Sequence, residues 1–465
     1  MTEETKQRLL ERFEQILNAT DKKPRTINDI EEIALQIRDQ VAQVAVEEIS
    51  HEASSPQDQE QQAPSESEVC STPIEEKLTK VGCCNCPGTA WYKGERSRRI
   101  VTLAGEICLT RRYFYCRRCN TGFCPMDTRL TLPQGSSFTD AVSQEIAYLS
   151  ACLPFEQATK AFSRLARVCL SARSAQRLCL TKVRQQVESF LLERDLKALP
   201  QAFAPLASLS HCSPKPIIHY VAADGIQTPM QEGSWKEMKV GVVRSEHRDG
   251  RQDQASRYVN HLGDAKRFGN CLESLAIDCG SLTAQCLVFL GDGAPWLWNL
   301  ASTHFPRAIQ ILDFWHALEY VGKVARERFP EPEQTLVRNE WLSSRASEMK
   351  KSDWVKVHQS LESVRSLALE SVTAAVRYFS NNASRMDYKS YLKRGLCIGS
   401  GVAESACKRL VTQRLKGSGM HWSEKGAQVI CSLRCLLLGG EWDAFVEFWN
   451  RQLFISSTPI PSPLL

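Results

Sequence analysis

The chain lacks any apolar run approaching the roughly 18–20 residues that a helix needs to span a bilayer. Its first residues, Met1 to Lys6, lack the cationic-then-apolar order of a secretory signal. Both absences point to a cytoplasmic protein. A disulfide framework is missing too: the 19 cysteines are odd in number and mostly scattered through helix-like and strand-like stretches, as buried thiols in a reducing compartment are. Residues 51–69 have no periodicity and few apolar groups, which predicts a disordered linker. Basic charge is scarce over residues 1–80, with 18 Asp or Glu against 9 Lys or Arg, so a net charge of +5 leaves +14 on the remainder. A basic body suits a polyanionic partner. The 43% hydrophobic and 24% charged residues are ordinary for a globular chain, and 465 residues suffice for two to four domains.

Residues 2–19 and 28–50 read as amphipathic helices; in the second, Ile30, Ile33, Ala34, Ile37, Val41 and Val44 recur at spacings of three and four. Such a pair either self-associates or packs as a hairpin on its own body. After the linker, Cys83-x-x-Cys86 and Cys116-x-x-Cys119 flank about thirty basic, strand-like residues. Two such knuckles can offer four thiolates to one tetrahedral Zn2+, a zinc-ribbon pattern with a closed, structural site, the competing reading being redox or unligated thiols. Cys84 and Cys124 are spare thiols nearby, and Arg96, Arg98, Arg99, Arg111, Arg112, Arg117 and Arg118 face either phosphates or water. Residues 139–186 predict three short helices with a break at Leu153-Pro154. The basic, polar third helix, carrying Arg173, Arg177 and Lys182, resembles the recognition helix of a helix-turn-helix, an outline that many non-DNA-binding domains share.

From Pro216 the order becomes strand, strand, strand, helix, strand, helix, strand, with strands near 216–223, 236–244, 256–262, 284–290 and 308–312 and helices near 266–278 and 294–304. Three antiparallel strands followed by βαβ units predict a mixed α/β sheet of the ribonuclease H type. Two of the apolar runs close on Asp-Gly, at Asp224 and Asp292; either alone reads as an ordinary turn. Together, with Glu404 opening a helix after Gly399-Ser-Gly401, they predict a carboxylate site able to hold two Mg2+ (or Mn2+) ions for phosphodiester chemistry, Asp224 bridging both. Asp313 and His316, three residues apart on one helical turn, are either a helix cap with a packed ring or part of that site. Asp292 is preferred as the second ligand and Asp313 comes next. A helical insertion over 318–395 separates these from Glu404, and downstream Arg414, Lys416 and Trp422 form a basic, aromatic segment that either contacts DNA or, for the tryptophan, belongs to the core.

Taken as an ordered set, the two C-x-x-C pairs, A-D-G, G-D-G-A-P-W-L-W, L-D-F-W-H-A-L-E-Y, N-x-x-R-M-x-Y, G-L-C-I-G-S-G-V-A-E-S-A and R-L-K-G-S-G-M-H-W-S resemble the transposases of Kra-type bacterial insertion sequences, within the Mutator-like group of DDE transposases. The resemblance spans about residues 80–450. It implies a magnesium-dependent transposase that binds terminal inverted repeats, cuts there and joins the 3′ ends to target DNA as a homo-oligomer. Matched by motif, Asp224, Asp292 and Glu404 are its acidic positions, and Asp313 with His316 its D-x-x-H signature. The alternatives are a transposase-derived regulator that binds DNA without chemistry, or a nuclease that hydrolyses without joining. The expected divisions are a helical segment (1–50), the linker (51–69), the zinc ribbon (80–130), a helix-turn-helix domain (136–195), a ribonuclease H-like core in two parts (214–317 and 396–452) around the insertion (318–395), and a tail (453–465).

Overall fold

The computed structural model describes residues 1–19, 27–53, 79–133, 135–202, 217–247, 252, 255–364 and 370–457. The predicted linker from position 54 on, and the tail from 458 on, lie outside them. The chain forms two compact units, Met1–Leu178 with Val446–Leu465, and Cys179–Phe445. Among the described residues no helix is long and apolar enough to cross a membrane.

In the first unit, α1 (Glu3–Ala19) and α2 (Ile27–Ala53) pair through Arg8 and Arg12, whose guanidinium groups reach Glu48 at 3.1 and 2.7 Å. A four-stranded antiparallel sheet follows, β1 (Lys80–Gly82), β2 (Thr89–Thr102), β3 (Gly105–Cys116) and β4 (Thr121–Phe123), in sequence order. Of the two arrangements open to the N-terminal helices, the hairpin packs on its own body. Val46 of α2 lies against Ile100, Ile107, Leu109 and Met126, and Glu47 accepts the backbone N–H of Cys108 at 3.3 Å. Several arginines of this sheet are engaged within it. Arg111 bonds both carboxylate oxygens of Asp127 in α3 (Pro125–Arg129), Arg96 lies 3.5 Å from the Tyr113 ring centroid, and Arg98 donates to the carbonyls of Pro133 and Ser136. Arg99, Arg117 and Arg118 are exposed.

Three helices come next. The first two are α4 (Asp140–Cys152), capped by the Thr139 hydroxyl, and α5 (Phe155–Ala166), begun by Pro154, which cannot extend the preceding helix. The third, α6 (Ala172–Leu178), runs on through a π-turn, Cys179–Val183, into α7 (Arg184–Ala202), so the helix expected after Ser171 is much longer than a recognition helix requires.

The second unit holds all five strands expected between 216 and 312: β5 (Ile217–Pro229), β6 (Trp235–His247), β7 (Arg257–Leu262), β8 (Cys286–Gly291) and β9 (Ile309–Leu312). Their order in the sheet is β7-β6-β5-β8-β9, antiparallel across β5, β6 and β7 and parallel across β5, β8 and β9. Every residue from Met238 to Val243 is buried, which marks β6 as covered on both faces. Helix α8 (Ala265–Asp278) packs there so closely that a Cβ on Gly241 would stand 2.7 Å from Leu272. Helix α9 (Pro295–His304) makes the crossover between β8 and β9.

The insertion is helical: α10 (Phe314–Arg328), α11 (Thr335–Lys350), α12 (Trp354–Glu362), α13 (Glu370–Asn382) and α14 (Tyr388–Lys393). The N-x-x-R-M-x-Y motif joins it to the sheet layer. Asn382 accepts the buried indole N–H of Trp298 at 2.8 Å. Arg385 donates to Gln310 at 2.8 Å and covers the Trp298 ring, while the fully buried Tyr388 meets Phe314 edge to face. The chain then returns through α15 (Gly401–Cys407), a second π-turn (Lys408–Thr412), α16 (Gln413–Leu415), α17 (Glu424–Leu438) and α18 (Trp442–Ser457). Helix α15 packs on β5 and β6, and α17 on β7.

Candidate functional site

Parallel strands bring their ends to one edge of a sheet, and the register decides which residues meet there. Ala222 of β5 pairs with Leu290 of β8, and Gly291 with Leu312 of β9. Continued past the strand ends, that register sets Asp224 beside Asp292 and Asp292 beside Asp313, on neighbouring strands about 4.8 Å apart. Three aspartates thus stand in a row across three adjacent parallel strands: Asp292 and Asp313 directly follow the ends of β8 and β9, whereas Asp224 lies inside β5, which runs on to Pro229 paired with β6 instead of ending at residue 223.

Each is held by local backbone. Asp224 accepts the N–H of Gly225 at 2.7 Å, and Asp292 that of Ala294 at 2.9 Å. Asp313, only 4% exposed, caps α10 by accepting the His316 N–H at 2.6 Å and takes the Ser400 N–H on its other oxygen. Both of its oxygens are therefore committed to backbone, one of them pinning the glycine loop from which α15 starts.

Burial pushes the Asp224 carboxyl above the usual range, and the Asp292 charge pushes the same way. The Gly225 N–H, the Cys407 thiol and nearby His316 oppose the shift. Cys407 closes α15 and is itself pushed up by burial and by Asp224. Glu404 lies three residues before Cys407 on the same helical face and is exposed.

A second wall of the site comes from the insertion, and nothing in the sequence singles it out. Tyr378 of α13 donates to the Asp292 carbonyl at 2.5 Å and stacks on Tyr320 with centroids 4.0 Å apart; the half-exposed His316 ring meets both. The Tyr378 hydroxyl is pushed up by burial and by the charges of Asp292 and Asp313. Trp315, 63% exposed, flanks Gly399 of the loop.

Among the described residues, one group of three or more His, Cys, Asp or Glu side chains has its ligand atoms all within 4.8 Å of one another, and it is Cys83, Cys86, Cys116 and Cys119. Cys83 Sγ is 3.4 Å from Cys119 Sγ, and Cys86 Sγ 3.7 Å from Cys116 Sγ, spacings close to the roughly 3.8 Å edge of a tetrathiolate tetrahedron with 2.3 Å metal–sulfur bonds. Burial and its neighbouring cysteines push the Cys86 thiol up to about 12, while Thr121 holds Cys119 down to about 6. This cluster can hold a metal ion. No three of Asp224, Asp292, Asp313 and Glu404 bring their carboxylate oxygens within 4.8 Å of one another, and each of the three aspartates turns an oxygen to a nearby backbone N–H.

The residues assigned to DNA contact separate into two groups. Arg173, Arg177 and Lys416 are exposed, Lys416 lying 5.7 Å from the ring of the exposed Trp235. Arg414 and Trp422 belong to the interior, a correction to their reading as a DNA-contacting segment. They are 2% and 7% exposed, the guanidinium lies 5.1 Å over the indole, and the indole N–H donates to the Leu415 carbonyl at 2.9 Å. The Lys182 ammonium is likewise shielded from solvent, on the π-turn between α6 and α7.

No curated protein matches this sequence. The model of the uncharacterised protein family UPF0236 matches residues 90–452, a span that includes the sheet, the insertion and every acidic residue of the row. The chain belongs to that family.

Proposed function

We propose that this chain is a metal-dependent DNA transposase with a ribonuclease H-like core, of the DDE class and of the Kra-type, Mutator-like kind whose motifs it resembles. The observation that carries the proposal is the pairing register that sets Asp224 on the central strand beside Asp292 after its parallel neighbour, with Glu404 on α15, the helix that packs on that central strand. A sheet ordered β7-β6-β5-β8-β9, antiparallel then parallel, is the order expected of such a core.

The donor set fits a hard dication. Carboxylate oxygens are the ligands Mg2+ or Mn2+ prefer, and a half-buried Asp224 beside a second charge is an arrangement that a cation relieves. Asp224, Asp292 and Glu404 would hold two ions. Bound there, the ions supply Lewis acidity to the attacking hydroxyl and to the departing oxygen. Asp313, with both oxygens on backbone N–H groups, acts in this reading as the positioning residue for the Glu404 loop. His316, on the same turn and near Asp224, would in this reading act on a phosphate oxygen or the leaving hydroxyl as general acid or base.

The four cysteines would hold a structural Zn2+ in a zinc ribbon, and α4 to α6 would form a helix-turn-helix with Arg173 and Arg177 toward phosphates. The partners are then the element's terminal inverted repeats and target DNA, bound in the bacterial cytoplasm by a homo-oligomer.

The test is joining of a labelled element-end duplex to a plasmid in Mg2+, wild type beside Asp224→Ala. Joining by wild type alone is the expected result. Nicking without joining would replace the proposal with a nuclease, end binding without either would replace it with a regulator, and joining by Asp224→Ala would remove the carboxylate assignment.

A further inference from the structure

Two adjacent aromatics at the start of α10 go opposite ways. Phe314 is fully buried, whereas Trp315 is 63% exposed. The edge of its indole is seated on the glycine loop: a Cβ on Gly399 would stand 3.1 Å from Trp315 Cδ1 and 3.9 Å from Asp313 Oδ2. A single exposed apolar side chain is ordinary on a protein surface. This one belongs to the candidate site and stands beside a group of cations.

Lys350, the last residue of α11, has its ammonium 5.7 Å from the Trp315 ring and 5.2 Å from that of Phe314. Ser352 ties the same end of α11 to α14, its hydroxyl accepting the Lys389 N–H at 3.0 Å and donating to Asp387 at 3.2 Å. Lys389 and Lys393, four residues apart on the exposed face of α14, are joined there by Arg394 and Lys351, which are exposed too. Among the described residues none of these five cations is ion-paired, while the acids of the same stretch are engaged. Glu348 is held by Arg345 at 2.6 Å, Asp353 by Lys356 at 2.8 Å, and Asp387 by Ser352 and the Ser390 N–H.

An aromatic face open to solvent beside free cations suits a nucleic-acid strand, the ring stacking on a base and the cations carrying phosphates. Bases inside a duplex are covered by their neighbours, so the base that stacks is one outside the pairing. We propose that Trp315 stacks on an unpaired base of the DNA strand at the carboxylate row, and that Lys350, Lys351, Lys389, Lys393 and Arg394 carry that strand's backbone. The proposal rests on the transposase reading for the identity of the strand; it assigns DNA contact to the helical insertion, which that reading leaves without one.

Fluorescence titration of the full chain into duplexes carrying 2-aminopurine, in EDTA so that no metal-dependent chemistry follows, tests the proposal. One duplex is fully paired and the other leaves the 2-aminopurine unpaired in a 3′ overhang. Wild type should quench the unpaired base and prefer its duplex. Trp315→Ala should abolish the quench and weaken binding of the overhang duplex about tenfold, leaving the paired duplex unaffected, while Trp315→Phe keeps most of the quench. The triple variant Lys350→Gln, Lys389→Gln, Lys393→Gln should lower the slope of log affinity against log salt by about 2–3. No quench by wild type, or an equal quench by Trp315→Ala, would overturn the stacking, and an unchanged salt slope would overturn the backbone assignment. Joining, measured separately, keeps the two proposals apart: a Trp315-dependent quench without joining retains this surface and removes the transposase, and joining without that quench does the reverse.

Discussion

Replacing Gly293 by alanine tests the close fit between the Asp292 turn and the helical insertion. Gly293 has φ of +99°, where an L residue costs about 1–3 kcal/mol. A Cβ there would also stand 2.6 Å from Tyr378 Cε2 and 2.8 Å from its hydroxyl oxygen, so the ring has to move. That ring is held by its stack on Tyr320 and its bond to the Asp292 carbonyl, together about 1.5–2.5 kcal/mol. The expected total is about 3–5 kcal/mol, a loss on the order of 10 °C in thermal midpoint for a unit of this size. Thermal unfolding of four proteins measures it: wild type, Gly293→Ala, Tyr378→Leu and the double variant. In the Tyr378→Leu background the overlap is gone and the backbone term of about 1–3 kcal/mol remains, giving a coupling of about 2 kcal/mol. Strict additivity, or a Gly293→Ala midpoint within roughly 2 °C of wild type, would refute the packing described here.

Two further outcomes are expected. Cys83→Ser with Cys116→Ser should lose about one equivalent of bound metal per chain and speed hydrogen exchange across β1–β4, because closed thiolate sites contribute directly to folding; unchanged metal content by elemental analysis would exclude the four-cysteine site. Asp224 titrates above its unfolded value, so its contribution to stability is present below the ordinary carboxylate range near pH 4 and is lost as pH rises through the raised value. In chelator-treated protein, Asp224→Asn should therefore melt above wild type at pH 7, with the gap closing as pH falls toward about 4; a gap that does not change with pH would show that the carboxyl carries no such penalty.

The sequence by itself determined the elements whose signals are local. Apolar runs closing on Asp-Gly located β5 as far as Asp224 and β8 before Asp292, because burial on both faces leaves continuous hydrophobic stretches, but the continuation of β5 to Pro229 depends on its pairing with β6. The spacing of the cysteine pairs was enough to expect four sulfurs together, since each knuckle is a short turn at a strand end. Tertiary structure alone decided the rest, where the meaning of a side chain depends on distant partners. Arg414 read as part of a basic surface and Trp422 as either base-stacking or core until the fold placed both in the interior, and Asp313 could not be told from a metal ligand until the Ser400 N–H, 87 residues away, took its second oxygen. Tyr378 and Cys407 carry no sequence signal, because a tyrosine in one helix and a cysteine in another become parts of a site only when the sheet register and the returning chain bring Asp292 and Asp224 to them.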